Sequence, residues 1–258
     1  MSDYLLGGKA NFTVDREVVD YVTAALPGGA DAARTAADSR RAFTARALAY
    51  LASEAGIDQF ICVGTNMPTI DTLQKVVQDV VPSGLVVYVI DDDLLTPPAD
   101  LSRPAARDDK AAYIRASPGR ADTILSQTVD MLDLAEPVAV VLHGIVTGLA
   151  DDDARRFVSE LLADLVAGSY MALVHWANDL YKDATATMWQ RMRQLVDEGR
   201  MQPIYPRSHA EVCSFFDGLE VLQPGVVPVE NWRPSPQTPA PPRGARAAAY
   251  AGVGRKRG

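Results

Sequence analysis

The stretch Gln59-Phe60-Ile61-Cys62-Val63-Gly64 decides the fold. It carries no charge, is apolar from Phe60 onward and halts at a glycine. Such a run is too short for a helix and does not alternate, which is how a strand buried on both faces reads. Thr69 to Val80 follows as a helix, with Ile70, Leu73, Val76, Val77 and Val80 on one face. Leu85 to Ile90 is a second all-apolar strand, closed by Asp91-Asp92-Asp93. Strand, helix, strand is the unit of a parallel sheet. Downstream the pattern repeats, with a short strand at Ala111 to Arg115 and a helix from Asp122 to Leu134. A third buried strand, Pro137 to Leu142, is capped by His143-Gly144. A helix from Asp151 to Val166, a strand from Ser169 to His175 and a helix from Ala184 to Gly199 come next. Upstream, Asp15 to Ala25 reads as an amphipathic helix stopped by Pro27-Gly28-Gly29, and Ala32 to Glu54 as a second helix. The sum predicts an α/β fold, a doubly wound, mostly parallel sheet covered on both faces.

Near the end, Val226 to Val229 leads into Trp232, and the proline-dense residues 233–246 cannot enter a helix or an interior strand. They read as a loop before a last strand at Ala247 to Val253. The basic Arg255-Lys256-Arg257 reads as a solvated terminus. The chain has 258 residues, 48% hydrophobic and 22% charged, enough to bury a sizeable core. Its formal charge of −8 argues against a nucleic-acid partner. Two cysteines, Cys62 and Cys213, make neither a disulfide framework nor a zinc pattern, so a cytoplasmic location is expected and no metal. The N-terminus has no signal-peptide pattern, and no apolar run reaches the roughly 18 residues of a membrane span.

In a doubly wound sheet ligands bind beyond the carboxyl ends of the strands, so the residues after each strand carry the chemistry. After the first strand stand Gly64, Thr65, Asn66 and Thr69, either an ordinary turn or a turn whose helix offers free N–H groups to a ligand. After the second stand Asp91 and Asp92, as hydrogen-bond acceptors for a ribose or as a solvated turn. His143 closes the central strand and is the best general-base candidate, as an imidazole titrating near neutral pH. A structural histidine is the competing reading. His175 and Trp176 end the next strand and could line the same mouth. Cys62, inside a buried strand, reads as inert.

Three segments carry a family likeness: DYLLGGKANFTVDRE at Asp3 to Glu17, FICVGTNMPT at Phe60 to Thr69, and FFDGLEVLQPGVVPVENWRP at Phe215 to Pro234 with YAGVGRK at its end. The chain resembles the actinobacterial S-adenosylmethionine-dependent methyltransferase-like family over almost its whole length. The resemblance implies a class I methyltransferase fold: a Rossmann-like, seven-stranded sheet with its last strand antiparallel. It also implies an N-terminal helical lid, residues 1–56, on a core of residues 57–258. Tyr4, Gly7, Gly8, Lys9 and Asn11 would stand near the cleft. Against the family pattern, Cys62 replaces an aspartate, Asn66 replaces a glycine, Asp91 falls one residue late for the ribose and Ser117 replaces an acid at the adenine end.

Those departures lead to the expectation that S-adenosylmethionine use has been lost and that no cofactor is bound. On this view the cleft acts on another small molecule in specialised metabolism, by an elimination or cyclisation. His143, Asp91, Asp92 and Lys9 would do the chemistry, with a partner subunit or homo-oligomer left open. The alternative is a functional S-adenosylmethionine-dependent methyltransferase of small molecules. A third reading is a non-catalytic subunit.

Overall fold

The computed structural model describes residues 2–9, 11–64, 70–90, 111–117, 119–235 and 241–258. Among these the helices are α1 (Ser2–Leu5), α2 (Thr13–Thr23), α3 (Gly29–Ser53), α4 (Ile70–Gln78), α5 (Ala121–Thr128), α6 (Asp151–Ala163), α7 (Lys182–Asp197) and α8 (His209–Ser214). The strands are β1 (Gln59–Val63), β2 (Leu85–Ile90), β3 (Ala111–Arg115), β4 (Ala139–His143), β5 (Tyr170–Trp176), β6 (Leu219–Val221), β7 (Val227–Pro228) and β8 (Ala249–Lys256). The sheet runs β3-β2-β1-β4-β5-β8-β6, with β7 also paired to β8. Strands β1 to β5 pair in parallel, whereas β8 runs antiparallel to β5, β6 and β7. The order of the strands therefore reverses between β1 and β4, which opens a crevice at their carboxyl ends. This is the class I methyltransferase arrangement, with the two-residue β7 as an eighth strand beside the seven expected.

Both faces of the inner strands β1, β4 and β5 are dry, as their largely apolar sequences require. Phe60 and Cys62 of β1 face a core shared with Phe43, Leu48 and Leu51 of α3 and with Trp232. Ile61 and Val63 turn to the other side, against a core holding Phe157 and Leu161 of α6. Side chains alternate along a strand, so only a run apolar at every position serves both layers. Trp232 is fully buried and meets the Phe43 ring edge-on at 5.2 Å, which ties the segment after β7 to α3. A third cluster lies beyond the strand ends, where Val18 and Val22 of α2 pack on Met188 and Met192 of α7.

Strands β1 to β5 fall where the sequence puts them, to within about two residues, β8 is displaced by two or three, β6 and β7 are additional, and several helix ends differ. Helix α5 stops at Thr128 rather than Leu134. The Thr128 carbonyl accepts from both Met131 and Leu132, turning the chain so that Gln59 can bond Asp133. The basic tail is not wholly a solvated terminus. Lys256 belongs to β8, and its Nζ donates to the carbonyls of Leu162, Ala163 and Leu165. A cation at the end of α6 satisfies orphan carbonyls and the negative end of the helix dipole together. No helix among the described residues is long and apolar enough to cross a membrane.

Candidate active site

At the strand-order reversal, β1 is followed by Gly64 and β4 by Gly144, with φ of 78° and 76°. Gly64 has a steric reason to be glycine: a Cβ there would lie 2.7 Å from the His143 carbonyl oxygen and 3.1 Å from the Ile145 Cβ. At Gly144 a Cβ would meet nothing within 4 Å. Two glycines thus leave the lips of the crevice free of side chains. That fits a ligand which must approach backbone closely.

His143, the last residue of β4, is half-buried and turned toward α3, where Thr44 Oγ1 lies 2.8 Å from Nδ1. The Thr44 hydroxyl also lies 3.3 Å from the Arg40 carbonyl, to which it donates. With that hydrogen spent, the network assigns the ring proton to Nδ1 and leaves the lone pair on Nε2. Burial, and then the charge of Arg40, push the imidazole down to about 3. It is therefore neutral at physiological pH. The expectation of a histidine titrating near neutrality is corrected: burial against α3, and then the Arg40 charge, lower it, and the sequence does not show that α3 packs on the end of β4.

Arg40 itself is only 8% exposed. Its guanidinium stands 4.7 Å from the centre of the Trp176 ring and forms no hydrogen bond or ion pair among the described residues. Desolvation lowers it to about 10, partly offset by the field of Glu230, so it remains charged. Arg40 and Trp176 line an apolar cavity of about 90 Å³ between α2, α3 and α7, with Leu5 of α1 over it.

The remaining expected residues fall into three groups. Trp176 lines this cavity, whereas His175 does not. His175 is 0% exposed, with Nδ1 bonded to the Trp176 carbonyl and Nε2 2.7 Å from Arg207 Nη1, and its ring stacks on Phe215. It alternates to the opposite face of β5, so its expected substrate contact is corrected to a core role. Arg207, 3% exposed, also binds Asp151 and the carbonyls of Val146 and Leu149, clamping the turn after β4.

The N-terminal motif forms its own small knot. Gly7 and Gly8 donate to the carbonyls of Tyr4 and Asp3, and Asn11 bonds Asp3 and Gly8 while Arg16 bonds Asn11. Asn11 thus holds the motif together, Tyr4 is half-buried, and Lys9 is exposed. Ser117, just past β3, is exposed as well. Cys62 is fully buried, and its thiol is pushed up to about 12. Thr65, Asn66, Thr69, Asp91 and Asp92 lie outside the described residues. Among the described residues no group of histidine, cysteine or acidic side chains is placed to hold a metal ion.

A family model described as S-adenosyl methyltransferase matches residues 1–257. The chain belongs to this family. Among solved structures, a DUF574 family protein from Streptomyces avermitilis MA-4680 is 33% identical, with a TM-score of 0.86 over 99% of this chain and 95% of that one. A proposed methyltransferase from Thermobifida fusca YX is 29% identical, with a TM-score of 0.85 over 100% and 93%. No curated protein matches the chain.

Membership of the S-adenosyl methyltransferase family overturns the expectation of a cofactor-free lyase or cyclase. Departures at single positions of one site do not add as independent losses, because contacts within a site couple. A histidine held near pKa 3 is also a poor base for an elimination. The described crevice fits an adenosyl cofactor, since both strands at the switch point are followed by a glycine.

Proposed function

We propose that this chain transfers a methyl group from S-adenosylmethionine to a small-molecule acceptor. The observation that carries the reading is the family match across residues 1–257, on a sheet whose switch point is bordered by Gly64 and Gly144. When bound, the cofactor supplies a sulfonium-activated methyl group. Gly64 and Gly144 would admit it, together with the backbone around His143. The chain's own contribution is chiefly alignment, since methyl transfer gains most from bringing donor and acceptor into line at short distance. Trp176 offers a flat wall to an acceptor, and Leu5 of the N-terminal lid covers the cavity. Neutral His143, anchored by Thr44, presents Nε2 as an acceptor for a hydroxyl or amine proton. Its basicity is too low to take that proton before the methyl group moves.

The direct test is transfer of labelled methyl from S-adenosylmethionine to pooled small-molecule phenols, amines and carboxylic acids. Labelled product that disappears on addition of S-adenosylhomocysteine is expected. Absence of label in every acceptor class, in protein shown to be folded, would overturn the reading.

A further inference from the structure

A guanidinium nine-tenths buried, facing a cavity and lacking an anion partner is costly to fold around, because a charge taken from water is normally paired. Arg40 is such a group. Among the described residues the cavity wall holds no aspartate or glutamate, and a second arginine, Arg246, exposed to solvent, also borders it. Glu230 acts on Arg40 only through its field, with no ion pair between them, and its Oε1 accepts from the Ala247 amide. Around the two arginines the wall is apolar, with Val22, Met188 and Trp176.

Resting on the methyltransferase reading, we propose that the methyl acceptor is an apolar or aromatic carboxylic acid whose carboxylate pairs with Arg40 while its body packs on Trp176. A guanidinium fork matches a carboxylate with two parallel hydrogen bonds, and such charge-assisted pairs are the strong ones. The position favours the acceptor over the carboxylate of the cofactor. The described lining residues come from α1, α2, α3, β5, α7, the turns after α2 and before α7, and the segment before β8, and none of them from the described ends of β1, β2, β3 or β4. The anion would also offset the Arg40 charge, which after burial is the second cause holding His143 down, so that acceptor binding makes Nε2 somewhat more basic.

The test uses calorimetry on the full chain with benzoate, cinnamate and indole-3-acetate, each against its neutral amide, with and without S-adenosylhomocysteine. The wild type is expected to prefer at least one carboxylate over its amide by on the order of 10- to 100-fold. Arg40→Gln should abolish that preference, Arg40→Lys should keep part of it, and S-adenosylhomocysteine affinity should stay within about twofold in both. Thermal melts of Arg40→Gln should be equal to or higher than wild type, since an unpaired buried charge is gone. Equal binding of acid and amide by the wild type overturns the proposal, whatever the variants do. So does an Arg40→Gln protein that loses affinity for S-adenosylhomocysteine but not for 5′-methylthioadenosine, which lacks the carboxylate. A wild type that binds no S-adenosylhomocysteine yet prefers carboxylates would instead sink the methyl-transfer reading and leave the anion site standing.

Discussion

Acid should destabilise this protein through His143, and replacing that residue isolates the effect. In the folded chain its imidazole titrates at about 3, against 6.5 for an ordinary histidine, because burial and the Arg40 charge disfavour the cation. Between these values the unfolded chain binds a proton that the folded chain refuses, so stability is fully present above pH 6.5 and falls as pH drops toward 3. The slope for one such group is about 1.4 kcal/mol per pH unit in the middle of the window. His175, lowered to about 4 mainly by burial, acts in the same direction. His143→Gln keeps a polar group for Thr44 and removes the titration. Urea unfolding at intervals from pH 7 to 4.5 should therefore give a wild-type curve steeper than the variant's by about 1 kcal/mol per pH unit below pH 6. Parallel curves, or an imidazole midpoint between 6 and 7 by nuclear magnetic resonance, would refute the reasoning.

Three substitutions probe the scaffold of the site. Arg207→Met strands the buried carbonyls of Val146 and Leu149 and the Nε2 of His175, and should cost about 3–5 kcal/mol in urea unfolding. A loss under about 1 kcal/mol would show the clamp to be dispensable. Gly64→Ala puts a methyl group 2.7 Å from the His143 carbonyl in a left-handed backbone, at about 1–2 kcal/mol of conformational cost. It should weaken S-adenosylhomocysteine binding about tenfold or more, and unchanged affinity would separate the turn from the cofactor. Lys256→Met removes the donor to three carbonyls at the end of α6 and should lower stability by about 1–2 kcal/mol, read by thermal or urea melting.

The strands were legible because a run apolar at every position has one use in a sheet with two dry faces. Short elements were not. Helix α8 is six residues long and was missed, although Ser208 and Glu211 spell its capping box and form it. Strand β6, three residues beside β8, leaves no periodicity to read. Gly64, His143 and Trp176 stand at the strand ends where the sequence puts them, whereas alternation along β5 turns His175 into the core. Arg207 reaches the end of β4 from far along the chain and left no local signal. Arg40 left one: it sits on the stripe of α3 that carries Ala33, Ala37, Thr44 and Ala47, all of them buried but for its own edge, where a charge needs an explanation. The loss of cofactor was inferred from motif letters alone. Sequence cannot show which departures change a contact and which the backbone absorbs.

Calorimetric titration of the folded protein with S-adenosylhomocysteine tests the central claim most directly. One-site binding in the micromolar range is predicted, about −8 kcal/mol. No heat of binding up to millimolar ligand would contradict a methyltransferase built on the crevice between Gly64 and Gly144.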